Sequence, residues 1–294
     1  MSTCLALDIG GTKIAAALVR DGQIQSRKQI ETPASQEPKL LADALQRLIS
    51  PWKESADFVA VASTGIIDEG QLVALNPDNL GGLNRYPLLS SIEKLSGKKT
   101  WVINDAQAAT WAEFQSIEAP VSEMAFLTVS TGVGGGVVIG NQLILGQQGI
   151  AGHIGHTLAD PNGPLCGCGR QGCVESIASG RAIAAAGKPY FGLNCTGKTV
   201  FEMAEKQDSK AMEIISRSAQ TIANTVANLK ISFDLQVIVL GGSVGLAPGY
   251  LPLVQDYLSK MPKAFQVQLA HAQNGADAGL LGAASWAKQQ LSSH

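Results

Sequence analysis

Three of the five cysteines fall within eight residues, at Cys166, Cys168 and Cys173, and His156 stands ten residues before the first of them. Three thiols and an imidazole make a Cys₃His set, a closed tetrahedral composition of the kind that holds structural zinc. Disulfides fit less well: three cysteines cannot pair among themselves, and Cys166 and Cys168 are too close for relaxed disulfide geometry. Cys-x-Cys-x₄-Cys is not a standard finger spacing, so the residues alone leave zinc as one reading. With four protein ligands no position remains for a reacting water, and such a metal would organise its loop rather than do chemistry. Cys4 and Cys195 have no comparable neighbours and read as bystanders.

The second chemical signal is glycine. The chain has 32 in 294 residues, about 11% against an average near 7%. They cluster at Gly10-Gly11, Gly81-Gly82, Gly132 to Gly136 and Gly241-Gly242. Asp8-Ile9-Gly10-Gly11-Thr12 is neither a P-loop nor a dinucleotide fingerprint, because an apolar, strand-like run follows it where those motifs need a helix. A Gly-rich hairpin turn instead presents successive backbone N–H groups as a nest for an anion. Asp8, at the end of the run before the turn, is placed to hold the hydrated Mg²⁺ that travels with a nucleotide, since Mg²⁺ keeps several waters and takes one or two carboxylates. Further along, Asn104 and Asp105 end a β-branched run and precede the Ala-rich stretch 106–114, where either Asx residue would cap a helix.

These residues need elements to hold them. Cys4 to Asp8 and Ile14 to Val19 are apolar runs on either side of the first turn, and Ala125 to Val129 and Val137 to Ile139 flank Ser130 to Gly136 in the same way. Two strand–turn–strand units about 120 residues apart predict a duplicated two-domain architecture. Phe58 to Ala62, Thr100 to Ile103 and Val237 to Leu240 read as further strands. Leu40, Leu41, Ala44, Leu45, Leu48 and Ile49 predict one helix. Met212, Ile215, Ala219, Ile222, Val226 and Leu229 predict a long one capped by Asp208-Ser209, and Ala278 to Leu291 a last one. The junction falls at Ile117 to Pro120, and the fold class is α/β. Charged residues are only 16% of the chain and the net charge is −2, with basic runs no longer than two, as at Lys98-Lys99. Nucleic acid and membrane are therefore poor partners, no apolar stretch is long enough to span a bilayer, and the expected setting is cytoplasmic.

Asp8 to Lys13, Ser130 to Gly136 and Leu240 to Ser243 resemble the two phosphate segments and the adenosine segment of the sugar kinase/actin/Hsp70 superfamily. Within it, Gly155-His156 and Cys166 through Glu175 resemble the G-H…C-x-C-G-x-x-G-C-x-E signature of ROK-family sugar kinases, and the likeness runs from Leu5 to about Trp286. The resemblance implies two ribonuclease-H-like domains of the actin/hexokinase type around an ATP cleft, with a zinc-bound loop. They would span 1–118 and 119–294, the last helix packing back on the first. It implies ATP contacts at Leu5, Ala6, Leu7, Asp8, Ile9, Gly10, Gly11 and Thr12, at Gly132, Val133, Gly134, Gly135 and Gly136, and at Gly241 and Gly242. Zinc falls to His156, Cys166, Cys168 and Cys173, the general base to Asp105, and sugar contacts to Gly65, Asn79, Asn104, His153, His156 and Glu175. A homodimer is the implied assembly.

One position departs from the family pattern: its glucokinases read Glu-x-Gly-His, and this chain reads His153-Ile154-Gly155-His156. A neutral histidine offers one donor and one acceptor in a shape unlike a carboxylate. A bare glucose 2-hydroxyl matches it poorly, and a 2-acetamido group of altered stereochemistry matches better. The resemblance therefore implies ATP-dependent phosphorylation of N-acetylmannosamine at its 6-hydroxyl, in the breakdown of sialic acid. N-acetylglucosamine or glucose is the alternative substrate, and a non-catalytic, zinc-stabilised sugar-binding regulator the alternative of another class.

Overall fold

The computed structural model describes residues 2–292 other than 34, 36, 75–79, 81, 82 and 84. In chain order its strands and α-helices are β1 (Thr3–Ile9), β2 (Lys13–Arg20), β3 (Gln23–Glu31), α1 (Pro38–Ile49), β4 (Phe58–Ser63), β5 (Ile66–Asp68), β6 (Gln71–Val73), α2 (Leu88–Ser96), β7 (Thr100–Asn104), α3 (Asp105–Gln115), β8 (Met124–Val129), β9 (Val133–Ile139), β10 (Gln142–Leu143), α4 (Glu175–Ala178), α5 (Gly180–Phe191), α6 (Gly197–Glu205), α7 (Ser209–Phe233), β11 (Val237–Gly241), α8 (Gly242–Gly245), α9 (Tyr250–Ser259), β12 (Gln268–His271) and α10 (Ala278–Ser292). Among the described residues no helix is long and apolar enough to cross a membrane.

The chain divides into two compact units. The first comprises Met1–Ser116, Leu143–Ala151 and Ala276–His294, and the second Ile117–Gln142 and Gly152–Gly275. Each is built on a five-stranded sheet of the same order, β3-β2-β1-β4-β7 in one and β10-β9-β8-β11-β12 in the other. In both, a central strand pairs antiparallel with the strand that follows its Gly-rich turn, β1 with β2 and β8 with β9. On its other side it pairs parallel with a later strand, β4 or β11. This is the ribonuclease-H-like order, and the fold is α/β.

The reason for the strand assignment is visible in burial. Leu5, Ala6, Leu7 and Ile9 of β1 are wholly buried, as are Val59 to Ala62 of β4, which is the continuous apolar character of central strands covered on both faces. α10 packs on α3, β1 and β4. In the second unit α7 runs 25 residues, capped by Asp208, whose carboxylate accepts from the Lys210 and Ala211 N–H groups at 3.0 Å each. Its periodic residues Ile215, Ala219, Ile222, Val226 and Leu229 are buried. Met212, one turn in, is 41% exposed: the apolar period runs past the edge of the core there.

Candidate functional site

In the first unit the Gly-rich turn between β1 and β2 is held on both flanks. The Gly10 N–H donates to the Lys13 carbonyl at 2.9 Å and the Thr32 N–H to the Thr12 carbonyl at 3.0 Å. The Thr32 hydroxyl donates to the Gly10 carbonyl at 2.7 Å. Gly11 and Thr12 lie exposed at the tip, so the turn is rigid at its base and open where an anion would enter. Leu5, Ala6, Leu7 and Ile9 are core residues that carry this turn rather than surfaces of it. Asp8, half-buried, sits in register between Ala15 of β2 and Ala62 of β4. Burial, aided by the Asp105 and Asp277 charges and opposed by Arg27, pushes its carboxyl up from 3.8 to about 7.

Two strands away, β7 ends at Asn104 and α3 begins at Asp105. Asn104 is the cap: its Oδ1 accepts from the Ala106 and Gln107 N–H groups at 2.9 and 3.1 Å, and Gln107 completes a capping box. Its Nδ2 donates to the Gly65 carbonyl at 2.8 Å and stands 3.5 Å from that of Ser63. Asn104 thus joins Gly65 to the start of α3. Asp105 is left free of the capping duty; its Oδ1 accepts from the Ala106 N–H at 2.8 Å. Burial also raises this carboxyl above its ordinary value, as suits a group that must take a proton near neutral pH. Asn79 lies outside the described residues.

In the second unit the four predicted metal ligands converge, their ligand atoms all within 4.8 Å of one another. His156 Nδ1 is 3.6 Å from Cys166 Sγ, and Cys168 Sγ is 3.7 Å from Cys173 Sγ. Zinc bound tetrahedrally, at about 2.3 Å to sulfur and about 2.0 Å to nitrogen, sets S–N and S–S edges of about 3.5 and about 3.8 Å. Two edges of the cluster thus match those of a zinc tetrahedron, the remaining pairs lie within 4.8 Å, and the donor set fits the ion. The thiols are free of disulfides. Burial pushes the Cys173 thiol up to about 12, so metal binding must displace its proton. The loop closes on glycine: a β-carbon on Gly172, at φ +75°, would lie 1.6 Å from the Asp160 carbonyl oxygen.

The second Gly-rich turn is tied to the same loop through Glu175, two residues after Cys173. Its Oε2 accepts from the Val133 N–H at 2.9 Å, and its Oε1 lies 3.8 Å from an Arg181 nitrogen. The Gly180 N–H donates to the Ser130 carbonyl at 2.7 Å, and the Ser130 and Ser243 hydroxyls are 3.1 Å apart. Gly132 to Gly136, Gly241, Gly242 and Glu175 thus form one neighbourhood. His153 is nearby, its ring stacked on that of His156 with centroids 6.4 Å apart. Because His156 turns Nδ1 toward Cys166, its Nε2 remains for a second partner.

Gln107, on α3 beside Asp105, is a buried polar residue that the sequence does not single out. Its side chain is nearly inaccessible, with 2% exposed, and its Nε2 donates to the carbonyls of Ala151 and Gly149 at 2.9 and 3.4 Å. The signal was present as an Asn-x-x-Gln capping-box spacing from Asn104.

A sheet order shared by both units, each with a Gly-rich turn after its central strand, and a buried acid at a helix start define a hexokinase-like α/β sugar kinase. The chain belongs to the ROK family, whose model matches residues 4–290. It is 57% identical over 283 residues to the N-acetylmannosamine kinase of Escherichia coli strain SMS-3-5, covering 96% of this chain and 97% of that one. The strain K12 protein of that name gives the same identity and coverage. Among solved structures, the ROK hexokinase from Thermus thermophilus superposes with a TM-score of 0.89 at 31% identity, covering 99% and 100% of the two chains. A ROK family glucokinase from Streptomyces griseus, in complex with glucose and AMPPNP, gives 0.81 at 30% identity, covering 98% and 99%.

Proposed function

We propose that the chain phosphorylates N-acetylmannosamine at its 6-hydroxyl with ATP, as a step of sialic acid degradation. The observation that carries the substrate is the 57% identity, over nearly the whole of both chains, to kinases of that name. His153 supports it, standing where a glucose-binding carboxylate is expected. N-acetylglucosamine or glucose is the second reading, favoured by likeness to a hexokinase and a glucokinase at about 30% identity.

In this reading the sugar is held by Gly65, Asn104, His153, His156 Nε2 and Glu175, with Asn79 assigned by resemblance. The 6-hydroxyl oxygen attacks the γ-phosphorus, its proton passes to the Asp105 carboxylate, and the bond to the β–γ bridging oxygen breaks to release ADP. The N–H groups of the Gly10–Thr12 and Gly132–Gly136 turns cradle the phosphates, and the backbone of Gly241-Gly242 borders the adenosine. Magnesium arriving with the nucleotide would neutralise phosphate charge, and Asp8 is the carboxylate that would hold it through its waters. His156, Cys166, Cys168 and Cys173 would hold zinc, which would fix the ring of His156 and the loop leading to Glu175. Reduced thiols and a near-neutral charge suit the cytoplasm, and a homodimer is the proposed assembly.

The test is coupled ADP release across N-acetylmannosamine, N-acetylglucosamine, mannose and glucose. Highest kcat/KM on N-acetylmannosamine is expected. A preference for glucose would overturn the substrate assignment.

A further inference from the structure

We propose that Gln107 is a positioning residue of the sugar site, setting the catalytic turn and the segment leading into His153 in one register. The proposal rests on the functional reading above. Gln107 sits on α3 two residues after Asp105, and both polar ends of its side chain are engaged, one at the helix start and one across the unit. Oε1 accepts from the Asn104 N–H at 3.4 Å. Nε2 donates to Ala151 and Gly149, residues more than forty positions away in sequence. An amide is the side chain this place demands: one end faces a donor and the other faces two carbonyl oxygens. Neither a carboxylate nor a hydrocarbon can serve both ends.

The tethered segment is itself tightly seated. A β-carbon on Gly149, at φ +69°, would lie 2.1 Å from the Ile67 carbonyl oxygen of β5, and the Ala151 N–H donates to the Leu145 carbonyl at 3.2 Å. His153 follows two residues after the anchored Ala151 carbonyl. On the other side of Gln107, Asn104 reaches the Gly65 carbonyl. One buried amide therefore ties the turn that carries Asn104 and Asp105, and through Asn104 the Gly65 carbonyl, to the segment 149–151. Asp105 stays on the helix start that Asn104 caps and keeps its bond to the Ala106 N–H, so loss of the amide displaces the sugar contacts rather than the base.

The variants separate this role from helix capping. Gln107→Glu keeps an acceptor for the Asn104 N–H, as glutamate does in capping boxes, but sets an oxygen against the two carbonyls. Gln107→Met keeps volume without the buried charge and serves if the first variant fails to fold. The expected result is a sugar KM raised at least tenfold, ATP KM within about twofold, kcat within about threefold, and faster hydrogen exchange at the Ala151 amide. Unchanged sugar KM in a folded variant overturns the proposal, whatever the exchange shows. Unchanged exchange overturns it too, as does a loss of activity shared equally by both substrates and explained by a smaller folded fraction. Wild-type activity is read first: a wild type inert on all four sugars overturns the functional reading, and the tether is then decided by exchange alone.

Discussion

Oδ2 of Asp8 lies 2.6 Å from where a β-carbon on Gly279 would be. The first turn of α10 fits against this carboxylate only because residue 279 has no side chain. Water is kept from one flank of Asp8 as a result, and the desolvation that raises its carboxyl has a named source.

A pH dependence follows. The folded carboxyl titrates near 7 and the unfolded one near 3.8, so folding takes up a proton between those values. The free protein should lose stability as pH rises from about 4 to about 7, with little further change from Asp8 above that. Asp8→Asn should melt higher than wild type at pH 8 and no higher at pH 3.5. MgATP binding at pH 6 should release a proton, read by calorimetry in buffers of different ionisation enthalpy. An Asp8→Asn protein less stable than wild type at pH 8 would show the sign to be wrong.

Asp105→Asn should lower kcat by at least about 10²-fold, the low end for a lost general base, with sugar affinity within several-fold. Because Asn104 makes the helix cap and burial disfavours the charge on Asp105, the variant should keep its circular dichroism spectrum and melt no lower than wild type. A kcat near wild type would remove Asp105 from the role of base.

One zinc per chain is expected by elemental analysis of the intact protein. Binding energies of zinc-finger peptides, roughly 10–16 kcal/mol, match the stability of a whole domain. Cys168→Ser should therefore lower metal content and sugar binding together, with nucleotide binding less affected. Absence of bound metal in protein purified without chelators would reject the site.

His153→Glu should raise kcat/KM for glucose relative to N-acetylmannosamine at least tenfold, or about 1.4 kcal/mol in relative transition-state stabilisation. Discrimination through a matched polar contact reaches further than fit alone. A uniform fall on every sugar would mean that His153 only packs beside the ring of His156, and that specificity lies elsewhere in the pocket.

Much of this site could be read from local pattern. The Gly-rich turns announce themselves because strand, turn and strand lie within twenty residues. The Cys166, Cys168 and Cys173 cluster does so because its ligands share one loop. The long period of α7 is visible for the same reason. What escaped the sequence depends on distant packing. The edge strand β3 is mostly exposed and carries Arg27-Lys28, so no apolar alternation marks it. Either Asn104 or Asp105 could cap α3, and the choice is made by the Gly65 carbonyl, thirty-nine positions upstream. Gln107 looks like any polar residue on an Ala-rich helix until Ala151 is brought to it.

α10, last of the described helices, covers β1 and β4 of the sheet that begins with Thr3. On a ribosome, which builds chains from the N-terminus, one face of the first sheet must therefore wait for that helix. The whole of the second unit, Ile117–Gln142 and Gly152–Gly275, is synthesised in that interval. The face of these strands turned to α1 and α2 is covered early, but the face that takes α10 stays open throughout, so the phosphate turn that appears first in the polypeptide is among the last parts to be made solid.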